Sequence, residues 1–120
     1  MDKWQALNSF FNSFGVAAYE VGSVPDKASF PRITYESRIG SLGDTIQIDA
    51  SIWDLSNGWA KVDRIANDIE RTINGMGCPQ IDGGRYRVYK GTPYAQRMSE
   101  PDNDNIRRTV LHINFEFLTV

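Results

Sequence analysis

The chain is short of the residues on which most protein chemistry depends. It has one cysteine, Cys78, and one histidine, His112. A single thiol excludes an intramolecular disulfide and a cysteine-built metal cluster, and it suits a reducing compartment. With one imidazole, any Ser–His–acid or Cys–His nucleophile system would have to run through His112. Neither a serine nor Cys78 stands in a nucleophile-elbow pattern, so no catalytic residue and no enzyme are expected. Charge of one sign is missing as well: 13 Lys and Arg face 15 Asp and Glu, for a net charge of -2. That argues against a general polyanion binder, whose affinity comes from neutralising phosphates. No apolar run approaches ~18 residues, and the opening MDKWQALNSF lacks the apolar core of a signal peptide. A soluble protein that stays in the cytoplasm where it is made is therefore expected, as a single domain over residues 1–120.

What the chain does have is alternation. From Ile106 to Thr119, Leu111, Ile113, Phe115 and Phe117 fall on one side. Val110, His112, Asn114, Glu116 and Leu118 fall on the other, which is the pattern of a strand with one buried face. At a rise of ~3.3 Å per residue such a strand would span roughly 45 Å, so it should be the spine of the sheet or project past its core. Thr45 to about Trp53 alternates likewise, with Ile46, Ile48, Ala50 and Ile52 inward. Pro31 to Glu36 precedes it as a strand, and Gly40 and Gly43 mark the turn of an antiparallel hairpin. Tyr86 and Val88 alternate with Arg85, Arg87 and Tyr89 in a third strand after the Ile81–Gly84 turn.

Two segments have helical spacing. Trp4, Leu7, Phe10 or Phe11, and Phe14 recur every three or four residues before Gly15. Trp59, Val62, Ile65, Ala66, Ile69 and Ile73 form one stripe, with Ser56 or Asn57 as the expected cap and Asn74-Gly75, Gly77 and Pro79 as the stop. Val16–Phe30 reads as a connector and Gly91–Asn105 as a long polar loop. The expectation is an α+β fold: two helices on one face of a four-stranded, mostly antiparallel sheet, in the order α-β-β-α-β-β.

No chemical motif survives inspection. The run Glu100-Pro101-Asp102-Asn103-Asp104-Asn105 starts like a calcium loop, but it has no glycine or closing glutamate at the required spacing. Gly75-Met76-Gly77 is followed by Gln80 and ends a helix, unlike a dinucleotide fingerprint. No metal or cofactor is expected. The basic residues Arg85, Arg87, Lys90, Arg97, Arg107 and Arg108 cluster in the last third with Tyr89 and Tyr94. Such interleaving suits single-stranded nucleic acid. Mixed with Glu100, Asp102 and Asp104, it suits protein recognition better.

Two stretches, Trp4 to Glu36 and Gly91 to Val120, resemble small structural proteins encoded in the tail-assembly region of long-tailed bacteriophages and prophages: tail terminator, tail completion and minor capsid proteins. The resemblance is carried by Phe30-Pro31 leading into a strand, Gly91-Thr92-Pro93, Gln96-Arg97-Met98 and the closing Phe115-Glu116-Phe117-Leu118. It implies a virion structural protein that forms a ring, typically hexameric, on the head-proximal end of the tail tube. The ring would end tube polymerisation and offer the head-joining surface. The implied partners are further copies of the chain, the tail tube protein and the head–tail connector, with DNA passing through unbound. The implied location is the virion tail, after assembly in the host cytoplasm. Tyr94, Arg97, Met98, Arg107 and Arg108 are then the candidate tube or subunit contacts. Glu100, Asp102 and Asp104 are candidates to line the channel, where like charge keeps DNA from sticking. A head-completion or neck adaptor role is the nearest alternative. A single-stranded nucleic-acid-binding module using Arg85, Arg87, Arg107 and Arg108 is the next.

Overall fold

The computed structural model describes all residues except Leu42, Pro101, Asp102, Asp104 and Val120, and Thr119 in its backbone alone. The described elements are α1 (Lys3–Phe11), β1 (Ala17–Glu20), β2 (Arg32–Tyr35), β3 (Thr45–Leu55), α2 (Ala60–Gly75), β4 (Gln80–Ile81), β5 (Gly84–Met98) and β6 (Ile106–Thr119). The sheet order is β1-β2-β3-β6-β5-β4, and every pairing is antiparallel except β1 with β2. The expected four-stranded α-β-β-α-β-β sheet is therefore overturned. The fold is a mixed α/β with a six-stranded sheet, in the order α-β-β-β-α-β-β-β.

Both additional strands are short, and tertiary contacts hold them where periodicity gives no sign. β1 lies in the expected connector and buries only Ala18. Its free side is closed by a side chain: Asn12 Oδ1 accepts from the Ala18 N–H at 2.9 Å, and Asn12 Nδ2 donates to the Ala18 carbonyl at 3.3 Å. An amide side chain thus stands in for a neighbouring strand. β4 is two residues, paired to Arg85 and Gly84 across the Asp82-Gly83 turn.

The long polar loop is largely strand. β5 continues to Met98, and β6 begins at Ile106. Its pairing with β6 breaks between Lys90 and Ala95 and then resumes, Ala95 opposite Leu111 and Met98 opposite Arg108. Gly91 occupies this irregularity because β6 passes too close for a side chain: a Cβ there would lie 2.7 Å from the His112 carbonyl oxygen. β6 is the spine, paired with β3 from Ile106 to Glu116 and with β5 on its other side, in a molecule 47 Å long.

Both helices cover the face carrying Ile48, Ala50, Ile52, Leu111, Ile113, Phe115 and Phe117. Phe10 meets Phe115 edge-on with centroids 5.4 Å apart, and Phe11 stacks on Tyr35 at 4.6 Å. α1 is capped by Asp2, whose carboxylate accepts from Gln5 N while the Gln5 side chain answers to Asp2 N. α2 buries Val62, Ile65, Ala66, Ile69 and Ile73. Neither Ser56 nor Asn57 caps it. Trp59 holds the N-cap position with no side-chain bond, because an indole offers a donor and no acceptor for the first N–H groups of the helix.

Candidate assembly surface

Alternation along β3 and β6 sends one set of side chains to the core and the other to the sheet face that carries no helix. On that open face Asp49 pairs with His112, Ser51 with Val110, and Trp53 with Arg108. β2 adds Thr34 beside Ser51.

The open face is locked by its own hydrogen bonds. Trp53 Nε1 donates to Thr34 Oγ1 at 2.9 Å, and the Arg108 guanidinium lies 4.5 Å from the Trp53 ring centroid. Arg108 Nε donates to Ser51 Oγ at 3.1 Å, and its Nη1 is 3.4 Å from Glu100 Oε1. Further along, His112 Nδ1 is 2.8 Å from Asp49 Oδ1, and Gln47 Nε2 donates to the same oxygen at 2.8 Å. Partial burial works to raise the Asp49 carboxyl. The hydrogen bonds from Gln47 and His112, with the charges of His112 and Arg38, outweigh it and hold the group below the ordinary carboxylate value. A depression of 510 Å³ opens on this face, walled by Val21, Val24, Trp53 and Val110 with Asp49 and Arg108 at its polar side. Among the described residues no three of His, Cys, Asp and Glu converge as metal ligands.

The contact residues expected from sequence separate onto different sides. Tyr94, Arg97 and Arg107 join the hairpin to α2. The Tyr94 hydroxyl donates to the Ala66 carbonyl at 2.8 Å, and Arg97 Nη2 pairs with Asp63 at 2.8 Å. The Arg97 and Arg107 guanidinium groups lie 4.6 and 5.6 Å from the Trp59 ring centroid, and Arg107 Nη2 donates to the Asn57 carbonyl at 3.0 Å. Such cation–ring contacts contribute roughly 0.5–2 kcal/mol each, so this cluster fixes the outer half of β5 against the helix. Arg108 belongs to the open face. Met98, opposite it in register, is one of five exposed large apolar residues among the described residues. Of the acidic set, Glu100 is tied to Arg108. Asp102 and Asp104 lie outside the described residues.

Trp53 and Asp49 are the open-face residues that sequence reasoning missed as a site. Their outward places on β3 were the only available signal, because the partners Thr34 and His112 lie far along the chain.

Tyr94 gives a direct check on the hairpin anchor. Burial, with a smaller contribution from Glu70, pushes its hydroxyl far above the ordinary value of 10.0. A raised pKa in the fold means that the neutral phenol stabilises it; that contribution is complete below about pH 10 and is lost as pH rises toward the folded value. Burial also raises Tyr35 and Tyr86, so ultraviolet titration of the five tyrosines should show a late group that includes Tyr94. In Tyr94→Phe the amplitude of that late group should fall by one tyrosine, with stability lower by about 0.5–1.5 kcal/mol at pH 7. A Tyr94 that titrates in step with the exposed tyrosines would mean the anchor is not formed.

No protein-family model matches the chain, and no curated protein matches it.

Proposed function

We propose that the protein is a structural subunit of a long-tailed phage, forming a ring that caps the head-proximal end of the tail tube. The observation that carries this reading is the open sheet face. Two helices cover one side of the sheet, and the other side presents an aromatic and charged surface already held in one conformation by Trp53–Thr34, Arg108–Ser51 and His112–Asp49 contacts. A surface ordered before binding loses little conformational freedom when a partner arrives. Trp, Arg and Met are also the residue types enriched in the cores of protein interfaces. The resemblance of Trp4–Glu36 and Gly91–Val120 to tail terminators supplies the identity of the partners.

A cap must match a repeating tube end without carrying a copy of that end on its other side, or polymerisation continues past it. A subunit with one helix-covered face and one bare face meets that need, because its two sides offer different chemistry. The contact with tube or neighbour is assigned to the open face around Trp53 and Arg108, with Met98 at its hairpin end. Purified protein added to growing tail tubes should arrest them and appear as extra density at one end. Trp53→Ala together with Arg108→Ala should lose that density while the protein stays folded. Arrest by the double variant equal to that by the parent would remove the open face from the proposal.

A further inference from the structure

The two sides of the sheet end differently. On the β1 side, the Asn12 amide brackets the backbone of Ala18, and the Glu20 carbonyl accepts from Ser23 N at 3.0 Å. On the other side, β4 covers only Gly84 and Arg85 of β5. Beyond it Tyr86 N donates to the Pro79 carbonyl at 3.0 Å. This bond points away from β6, so by alternation the N–H and C=O groups of Val88 and Lys90 also point outward. No backbone partner meets those groups among the described residues. The bare stretch ends at the Lys90–Ala95 irregularity, where Pro93 has no N–H to offer.

That edge is accompanied by a groove. A depression of 470 Å³ runs between the C-terminal end of α2 and the edge, lined by Ile73, Cys78 and Val88 together with the polar Asn74, Arg87, Tyr89 and Lys90. An unpaired strand edge beside a helix-walled groove of mixed polarity is an arrangement that accepts an extended segment as one more strand. The charge is one-sided. Arg85 and Arg87 form no ion pair among the described residues: Arg85 donates to the Cys78 carbonyl, and Arg87 lies over the Tyr89 ring. Glu116 stands opposite Arg87 in register but accepts from the Tyr89 hydroxyl. Lys90 is already paired, to Glu70 at 2.9 Å.

We infer that the β5 edge from Arg87 to Lys90 is a strand-addition site for an extended acidic segment of a partner protein, with a carboxylate opposite Arg87 and within diagonal reach of Arg85. The placement follows from the pleat: Arg85 and Arg87 share one sheet face, Gln80 already stands opposite Arg85, and a residue opposite Arg87 is the diagonal neighbour of Arg85. The intervening apolar side chains of the segment would turn toward Ile73 and Val88. This inference does not depend on the ring reading, because it concerns the opposite flank of β5 from Trp53.

The test is a nuclear magnetic resonance titration of the isotope-labelled full chain with the peptide acetyl-Thr-Glu-Val-Glu-Val-Thr-amide at millimolar concentration. The expected result is shifted and exchange-protected amides at Val88 and Lys90, with affinity falling at least tenfold between 50 and 500 mM salt. Arg85→Glu with Arg87→Glu should abolish binding of this peptide and create binding of its lysine counterpart, which also shows that the variant is folded. The idea is overturned if neither amide responds, or if the parent protein takes the lysine peptide equally well. Protection of the same amides without peptide, rising with protein concentration, would also overturn it by assigning the edge to a second copy of the chain.

Discussion

Phe115→Ala should cost about 3–5 kcal/mol, the range for deleting a fully buried aromatic ring. Phe115 has no exposed surface and sits where the layers meet. Its ring touches Phe10 at 5.4 Å and Phe11 at 5.9 Å from α1, and Tyr86 at 6.3 Å from β5. In register it lies between Ile46 of β3 and Val88 of β5. The space left by the ring has walls from a helix and three strands, so no single element can relax to fill it. Since a domain's total stability is roughly 5–15 kcal/mol, the variant would fall near the limit of folding. Thermal and urea unfolding should show a lowered midpoint, with the melting temperature down by roughly 12–20 °C. Trp4→Ala is the matched control. Trp4 is 52% exposed on the same helix, and its loss should cost well under half as much. Equal costs for the two would mean α1 does not pack on β6 as described.

The second large effect is expected at Gly91. An added Cβ would lie 2.7 Å from the His112 carbonyl oxygen and 2.8 Å from the His112 Cβ, closer than real Cβ contacts allow. The obstacle is the spine strand itself, and β6 is held on its far side by eleven paired positions of β3. Relief must therefore come from β5 moving outward at the point where its pairing is already interrupted. Gly91→Ala should cost about 1–3 kcal/mol, as overpacking does, and Gly91→Val more. The damage should be uneven. Hydrogen exchange should speed up at Ala95–Met98, beyond the irregularity, and change little at Arg85 and Arg87, where β5 stays paired with β6. Uniform loosening, or none, would contradict the close approach.

These two sites also mark how far the sequence could be read. Phe115 was legible because β6 and β3 each bury one face, and strict alternation needs no knowledge of neighbours. α2 was legible for the same reason at helical period. β1 was not, because four residues with Ala18 alone buried carry no pattern; what holds them is Asn12, a polar side chain acting at a distance of six residues. The outer half of β5 read as loop because its residues are polar and include Pro93. Its strand conformation is imposed from outside by Tyr94 on Ala66, Arg97 on Asp63, and the two arginines on Trp59. Trp59 read as part of the α2 stripe, yet its ring serves those arginines. Closeness in sequence alone groups Tyr94, Arg97, Met98, Arg107 and Arg108 as one contact set. Adjacent residues on a strand point to opposite faces, so Arg107 and Arg108 serve different surfaces.

The measurement that tests the central proposal most directly is electron microscopy of lysates from a phage carrying an early stop codon in this gene. Capping of the tube predicts filled, tail-less heads beside free tails of excessive or irregular length, with both cured by supplying the parent protein. Free tails of normal length beside empty or leaking heads would contradict it and move the subunit to the head side of the joint, while normal infectious particles would remove it from assembly altogether.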